Sequence, residues 1–229
     1  MSEHKNIVIS LGGSLIVPDH IDTEFLKSFV DFIKTKVEEG FRFVIVVGGG
    51  KTARRYQQAL EEIVDPSHDD KDWIGIGATR INAELVRIAF GSSLVAKHIV
   101  VDPTIALDHT HKITVAAGWK PGWSTDYVSV VLAKQFGARK VINLSNIDYA
   151  YDMDPKKFPE AKKIESITWT NYRKIIPEDW NPGLSLPFDP IASKRAEEEG
   201  IEVAIMNGTN LENLDQYLQG EKFVGTLIK

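Results

Sequence analysis

VIVVGGGKTARR, Val44 to Arg55, is the stretch on which the reading of this chain turns. Four β-branched apolar residues run straight into Gly48, Gly49 and Gly50, and the residues from Lys51 to Leu60 favour helix. That order predicts a buried strand, a tight turn and a helix N-terminus. Glycines let the backbone come close to a ligand, and the free amides of a helix's first turn favour an anion. Lys51, Arg54 and Arg55 add positive charge beside them. The stretch reads as a phosphate site, with a plain tight turn after a strand as the open alternative.

Upstream, Ile7 to Leu11 predicts a first buried strand that ends in Gly12, Gly13 and Ser14, so the same event occurs twice and suggests two phosphate groups to hold. Between the two, Phe25, Phe29, Phe32, Ile33 and Val37 recur at helical spacing from Asp22 to Glu39, with Asp22 or Thr23 as the cap and Gly40 as the stop. Phe41 to Val47 is the second strand, and the helix behind it runs to about Ile63. Downstream, DPSHDDKD (Asp65 to Asp72) reads as a polar loop before a helix with the stripe Ile74, Ala78, Ile81, Leu85 and Ile88. Asp72 either caps that helix or accepts a hydrogen bond from a ligand hydroxyl. Gly75 and Gly77 lower helix propensity in its first turn, which can mark a close approach by another group.

Leu94 to Val101 is expected as a strand, Pro103 to Leu107 as a short helix and Ile113 to Ala117 as a buried strand. His98, His109 and His111 lie in this region, and without a third ligand no metal site is expected from them. GWKPGWSTD, Gly118 to Asp126, combines a Pro121-Gly122 turn, two flat indoles and the opening of a helix to about Phe136. It could grip an aromatic ring and a phosphate together, or simply cap a helix and pack its tryptophans on the core. Lys140 to Leu144 is the next strand, and SNIDYAYDMDP (Ser145 to Pro155) sets polar groups at its C-terminal end, where open parallel sheets bind ligands. Residues 156 to 187 are mixed and turn-rich. Asp189 to Glu199 predicts a helix, Glu202 to Met206 a strand, Leu211 to Leu218 a helix and Phe223 to Ile228 a final strand. The alternation predicts an α/β fold: a mainly parallel central sheet with helices on both faces, a three-layer αβα sandwich, in one domain over residues 1–229 without repeat or linker.

Composition narrows the partners. The 229 residues are 43% hydrophobic with a net charge of −5 and mixed acids and bases, so no basic arm or stripe offers itself to nucleic acid. The absence of cysteine excludes disulfides and thiolate metal sites and suits a reducing cytoplasm. No apolar stretch reaches the length of a membrane span, so the chain is expected to be soluble and cytoplasmic.

Taken in order, LGGSLI (Leu11 to Ile16), VVGGGKTAR (Val46 to Arg54), PGWSTD (Pro121 to Asp126) and SNIDYAYDMDP resemble the amino acid kinase family, and within it the UMP kinases of the archaeal type. DWIGIGATRINA (Asp72 to Ala83), FDPIASK (Phe188 to Lys194) and the closing GEKFVGTLI are weaker matches, and together the motifs cover nearly the entire chain. The resemblance implies transfer of the γ-phosphoryl group of Mg-ATP to UMP, with Mg2+ arriving on ATP. It implies that Gly13, Ser14, Gly50 and Arg54 hold the ATP phosphates, and that Ser145, Asn146, Tyr151 and Asp154 bind adenosine and the adjacent phosphates. Gly49 would face the UMP phosphate, Asp72 the UMP ribose, and Trp119, Lys120, Pro121, Gly122, Trp123, Ser124 and Thr125 would enclose the rest of that nucleotide. Asp126 would organise the cationic centre, and Lys51 is the candidate for neutralising transferred charge. A dimer-based hexamer is implied as well.

Three departures stand out. Ser10 occupies a position where many family members carry lysine; DYAY replaces the usual DGVY, with Tyr149 for glycine; and Trp119, Lys120 and Trp123 replace small or histidine residues. The same residues would also suit a kinase of this fold with another acceptor, or a non-catalytic nucleotide or oxyanion binder.

Overall fold

The computed structural model describes residues 5–107, 109–155, 157–177 and 186–229. The chain begins with β1 (Asn6–Leu11), α1 (Gly13–Ile16), α2 (Thr23–Glu38), β2 (Arg42–Val47), α3 (Gly50–Ile63) and α4 (His68–Phe90). β3 (Ile113–Ala116), α5 (Thr125–Phe136) and β4 (Lys140–Ser145) follow, then the short strands β5 (Ala150–Tyr151), β6 (Lys163–Ile164) and β7 (Ser166–Ile167). α6 (Trp169–Ile175), α7 (Pro190–Glu199), β8 (Glu202–Asn207), α8 (Leu211–Leu218) and β9 (Thr226–Ile228) complete it.

β1 and β2 are buried at every residue but the first, as apolar runs without alternation require when both faces of a sheet are covered. The large sheet has the order β3-β2-β1-β4-β8-β9-β7. It is parallel from β3 to β8, and β9 enters antiparallel to β8. Alternate residues feed opposite layers. Ile7, Ile9 and Leu11 pack with Phe29 and Ile33 of α2, Val86 and Phe90 of α4 and Leu214 of α8. Val8, Val44 and Val46 face Val128 and Leu132 of α5, Tyr172 of α6 and Ala192 of α7. The expected three-layer αβα sandwich is therefore the observed fold.

Five local readings are corrected. Leu94 to Val101 is no regular strand: Val95 bridges Ile113 and Val100 bridges Ala116, so five steps of chain span three of β3 and the excess bends out at Lys97 and His98. Pro103 to Leu107 is a turn rather than a helix, closed by Asp102 accepting the Thr104 amide and hydroxyl. α4 begins at His68, inside the expected loop, because Ser67 and Asp70 form a reciprocal capping box. Its core face is Ile76, Thr79, Asn82, Ala83, Val86 and Phe90, while Ile81 and Ile88 of the apolar stripe point to solvent. The last strand is also shorter than expected.

Candidate active site

Strand order reverses between β1 and β4, and the crevice beyond the C-terminal ends of such a pair is where open α/β sheets bind ligands. Both glycine turns open there. The Gly12 amide donates to Leu144 O at 2.8 Å and the Gly48 amide to Leu11 O at 2.9 Å, which ties β1 to β4 on one side and to β2 on the other. Gly13 and Gly50 lie backbone against backbone: a Cβ on Gly13 would fall on the Gly50 amide, and Gly50 has φ +61°, a left-handed conformation. The two turns thus form one surface, with the first turns of α1 and α3 opening from it.

α4 braces this surface from the side of the Gly118–Asp126 loop. Asn82, buried, donates to Gly48 O at 2.9 Å and Gly49 O at 3.1 Å. The Thr79 hydroxyl donates to Ile76 O and accepts the Gly118 amide at 2.8 Å. Arg80 donates to Trp119 O at 3.3 Å. Asp72 is no helix cap, since α4 has begun four residues earlier; its Oδ2 accepts the Gly122 amide at 2.8 Å. Burial pushes the Asp72 carboxyl above its ordinary range, against that amide, which favours the charged form. In the loop itself, Trp123 lies 4.1 Å from the Tyr127 ring and 5.8 Å from Trp119, and the Lys120 ammonium sits 4.1 Å from the Trp119 ring. Ser124 caps α5, accepting the Tyr127 amide.

Asp126, in the first turn of α5, joins that helix to α7. Its Oδ1 accepts the Ser10 hydroxyl at 3.0 Å and the Asn143 amide at 3.2 Å; its Oδ2 accepts the backbone N–H of Asp189, the buried N-cap of α7, at 3.2 Å. Burial, and then the Asp189 carboxylate, push the Asp126 carboxyl up to about 7 against the Ser10 hydroxyl and Asp189 amide. Asp189 is raised by burial too. Among the described residues no lysine or arginine bonds Asp126. Lys51 instead pairs with Asp19 at 3.1 Å, sharing that carboxylate with Arg55 at 2.8 Å, and Arg54 is exposed on α3. Of the three residues expected as one catalytic group, Lys51 and Asp126 therefore lie in separate sets of contacts, and Arg54 is exposed on α3.

On the other side of the crevice, Ser145 O accepts the Gly208 amide at 2.9 Å and Asp148 accepts from Asn207 at 3.0 Å, so the ends of β4 and β8 are joined. Asn146 is exposed there, Tyr151 pairs with Lys163 in the β5–β6 hairpin, and Asp154 lies 3.9 Å from Lys157. Among the described residues no group of three or more His, Asp or Glu side chains is placed to hold a metal ion.

Residues 5–207 match the model of the amino acid kinase family. The chain belongs to that family. It is 36% identical over 225 residues to the uridylate kinase of Methanospirillum hungatei, covering 97% of this chain and 94% of that protein. It is 34% identical to the uridylate kinase of Thermoplasma acidophilum, covering 98% and 97%. The crystal structure of uridylate kinase from Archaeoglobus fulgidus superposes with a TM-score of 0.83 at 33% identity, over 97% of this chain and 99% of that one. In this amino acid kinase, motif reading passed over Thr79, Asn82, Asn143 and Asp19, which hold the Gly118 loop, the second glycine turn, Asp126 and Lys51. The usable signal was at Thr79 and Asn82: two polar residues at helical spacing among the residues that α4 turns to the core.

Proposed function

We propose that the protein transfers the γ-phosphoryl group of Mg-ATP to UMP, giving UDP for pyrimidine nucleotide synthesis. The observation that carries this reading is the contact of the two glycine turns at the reversal between β1 and β4, with separate polar walls on either side. Gly13, Ser14 and Gly50 with Ser145, Asn146, Tyr151 and Asp154 form the donor wall; Gly49, Asp72 and the Trp119–Thr125 loop form the acceptor wall. Arg54 and Lys51 extend from α3 beside the seam to neutralise the charge that moves across it, Lys51 exchanging Asp19 for phosphate. Mg2+ enters as part of the substrate. The acceptor phosphate is already an anionic nucleophile, so transfer requires alignment and charge neutralisation rather than a general base.

No described helix is long and apolar enough to cross a membrane. The exposed stripe of α4, Trp73, Ile81, Leu85 and Ile88, supports association with further copies of the chain, a hexamer by family resemblance. The cytoplasm, where both nucleotides are made, is its setting.

The two walls are separable by substitution. Asp72→Ala raises KM for UMP about tenfold or more and leaves KM for ATP near wild type, as expected for a lost charged hydrogen-bond partner of the acceptor. Arg54→Ala lowers kcat with circular dichroism unchanged. Wild-type constants in both variants would overturn the placement. The packing of Lys120 and Tyr127 against the two indoles favours a second reading, a kinase of the same fold with a different acceptor, because those ring faces are already in contact.

A further inference from the structure

The β5–β6 hairpin leaves the C-terminal end of β4 directly beyond the polar rim. Side chains alternate along a strand, so within β5 Tyr151 points away from the side that Ala150 takes, while Tyr149, the residue before β5, is placed by its contact with Lys163. Ala150 is fully packed in the core, and its amide donates to the Thr226 hydroxyl at 2.8 Å. That fixes the hairpin's orientation. Lys163 stands opposite Tyr151 in the pairing and reaches back along the same face, its ammonium 4.8 Å from the Tyr149 ring centroid and 2.8 Å from Glu165. Two phenol rings and an ammonium therefore gather at the hairpin, the rings anchored two residues apart in the chain, about 7 Å for extended backbone.

Tyr149 stands where the resembling motif has glycine. No described residue other than glycine has a positive φ, so the backbone here does not require glycine, and the ring is an addition to the site rather than a tolerated strain. Tyr149 and Lys163 alone would form a surface cation–π contact of small worth. The second ring, Tyr151, and the hairpin's position beyond Ser145 give the face a further use. A purine is a flat π-system of the width that separates the two anchors, and base–aromatic stacking is favourable for any base.

We propose that Tyr149 is a contact for the donor nucleotide's base, stacking on the purine of ATP beside Tyr151, with Lys163 holding the Tyr149 ring in place. This rests on the assignment of the β4–β8 rim to the donor. It makes the donor wall of this chain more aromatic than the glycine-bearing motif allows.

The test is ATP binding by titration calorimetry on wild type, Tyr149→Gly and Tyr149→Phe, together with KM for UMP in each. Tyr149→Gly is expected to weaken ATP binding about tenfold, Tyr149→Phe to bind as wild type, and KM for UMP to stay constant in both. Wild-type ATP affinity in Tyr149→Gly overturns the contact, as does an equal loss in Tyr149→Phe, which would assign the effect to the hydroxyl. A joint change in the ATP and UMP constants would mark general damage to the rim and also count against it. If wild type itself binds no ATP, the donor assignment fails and the stacking with it.

Discussion

At Ser10 a hydroxyl donates to Asp126 Oδ1 from 3.0 Å, at a position where many amino acid kinases carry lysine. An ammonium there would hold the Asp126 carboxylate ionised; a hydroxyl does so only weakly, and burial beside Asp189 pushes it up to about 7. The sign of the consequence is fixed. A carboxyl whose pKa is higher in the folded than in the unfolded chain keeps its proton on folding between the two values, so the native state binds more protons across that window. Stability therefore falls as pH rises from about 4 to about 7, and Asp189, raised by the same burial, adds to the slope. In Asp126→Asn the fall in denaturation midpoint across this window should be visibly flatter than in wild type. An identical slope in the variant would show that Asp126 does not carry the titration.

α4 is the element that joins the second glycine turn to the Gly118–Gly122 loop, and it is also where pattern reading went astray. The stripe Ile74, Ala78, Ile81, Leu85, Ile88 has sound helical spacing, yet Ile81 is 66% and Ile88 65% exposed, and the helix packs through a face that includes Thr79 and Asn82. Two polar residues that satisfy backbone groups of the glycine turn and of Gly118 break the apolar period on the buried side. An apolar stripe left in solvent is an interface in waiting. Ile81→Glu with Ile88→Glu should shift the sedimenting species to a smaller one with the fold intact, since exposed positions cost the monomer little. Unchanged sedimentation would remove α4 from the interface.

Elsewhere legibility follows the length of the signal. β1, β2, β4 and β8 were readable because their buried apolar runs are long, and the first two end in glycine turns. β5, β6 and β7 have two residues each and no period to detect. α6 begins at Trp169 within the turn-rich stretch, where Thr168 caps it but only two turns follow. The first turn of α4 is polar and looks like loop until Ser67 and Asp70 are seen to cap one another. Motifs made residues legible as site candidates; those that act by bonding a backbone carbonyl or another side chain were not, because their partners are distant in sequence.

For the molecule as a whole, one mainly parallel sheet with helices on both faces brings the two glycine turns into contact at its reversal point, with α4 and the start of α5 on one side and the ends of β4 and β8 on the other. Phosphoryl transfer across that seam is the proposed reaction. Incubating the protein with γ-labelled Mg-ATP and UMP, with CMP, GMP and carboxylic-acid acceptors in parallel, tests it most directly. Label is expected in UDP, with little in the other products. Label in another acceptor's product, or ATP bound without turnover on any of them, would contradict it.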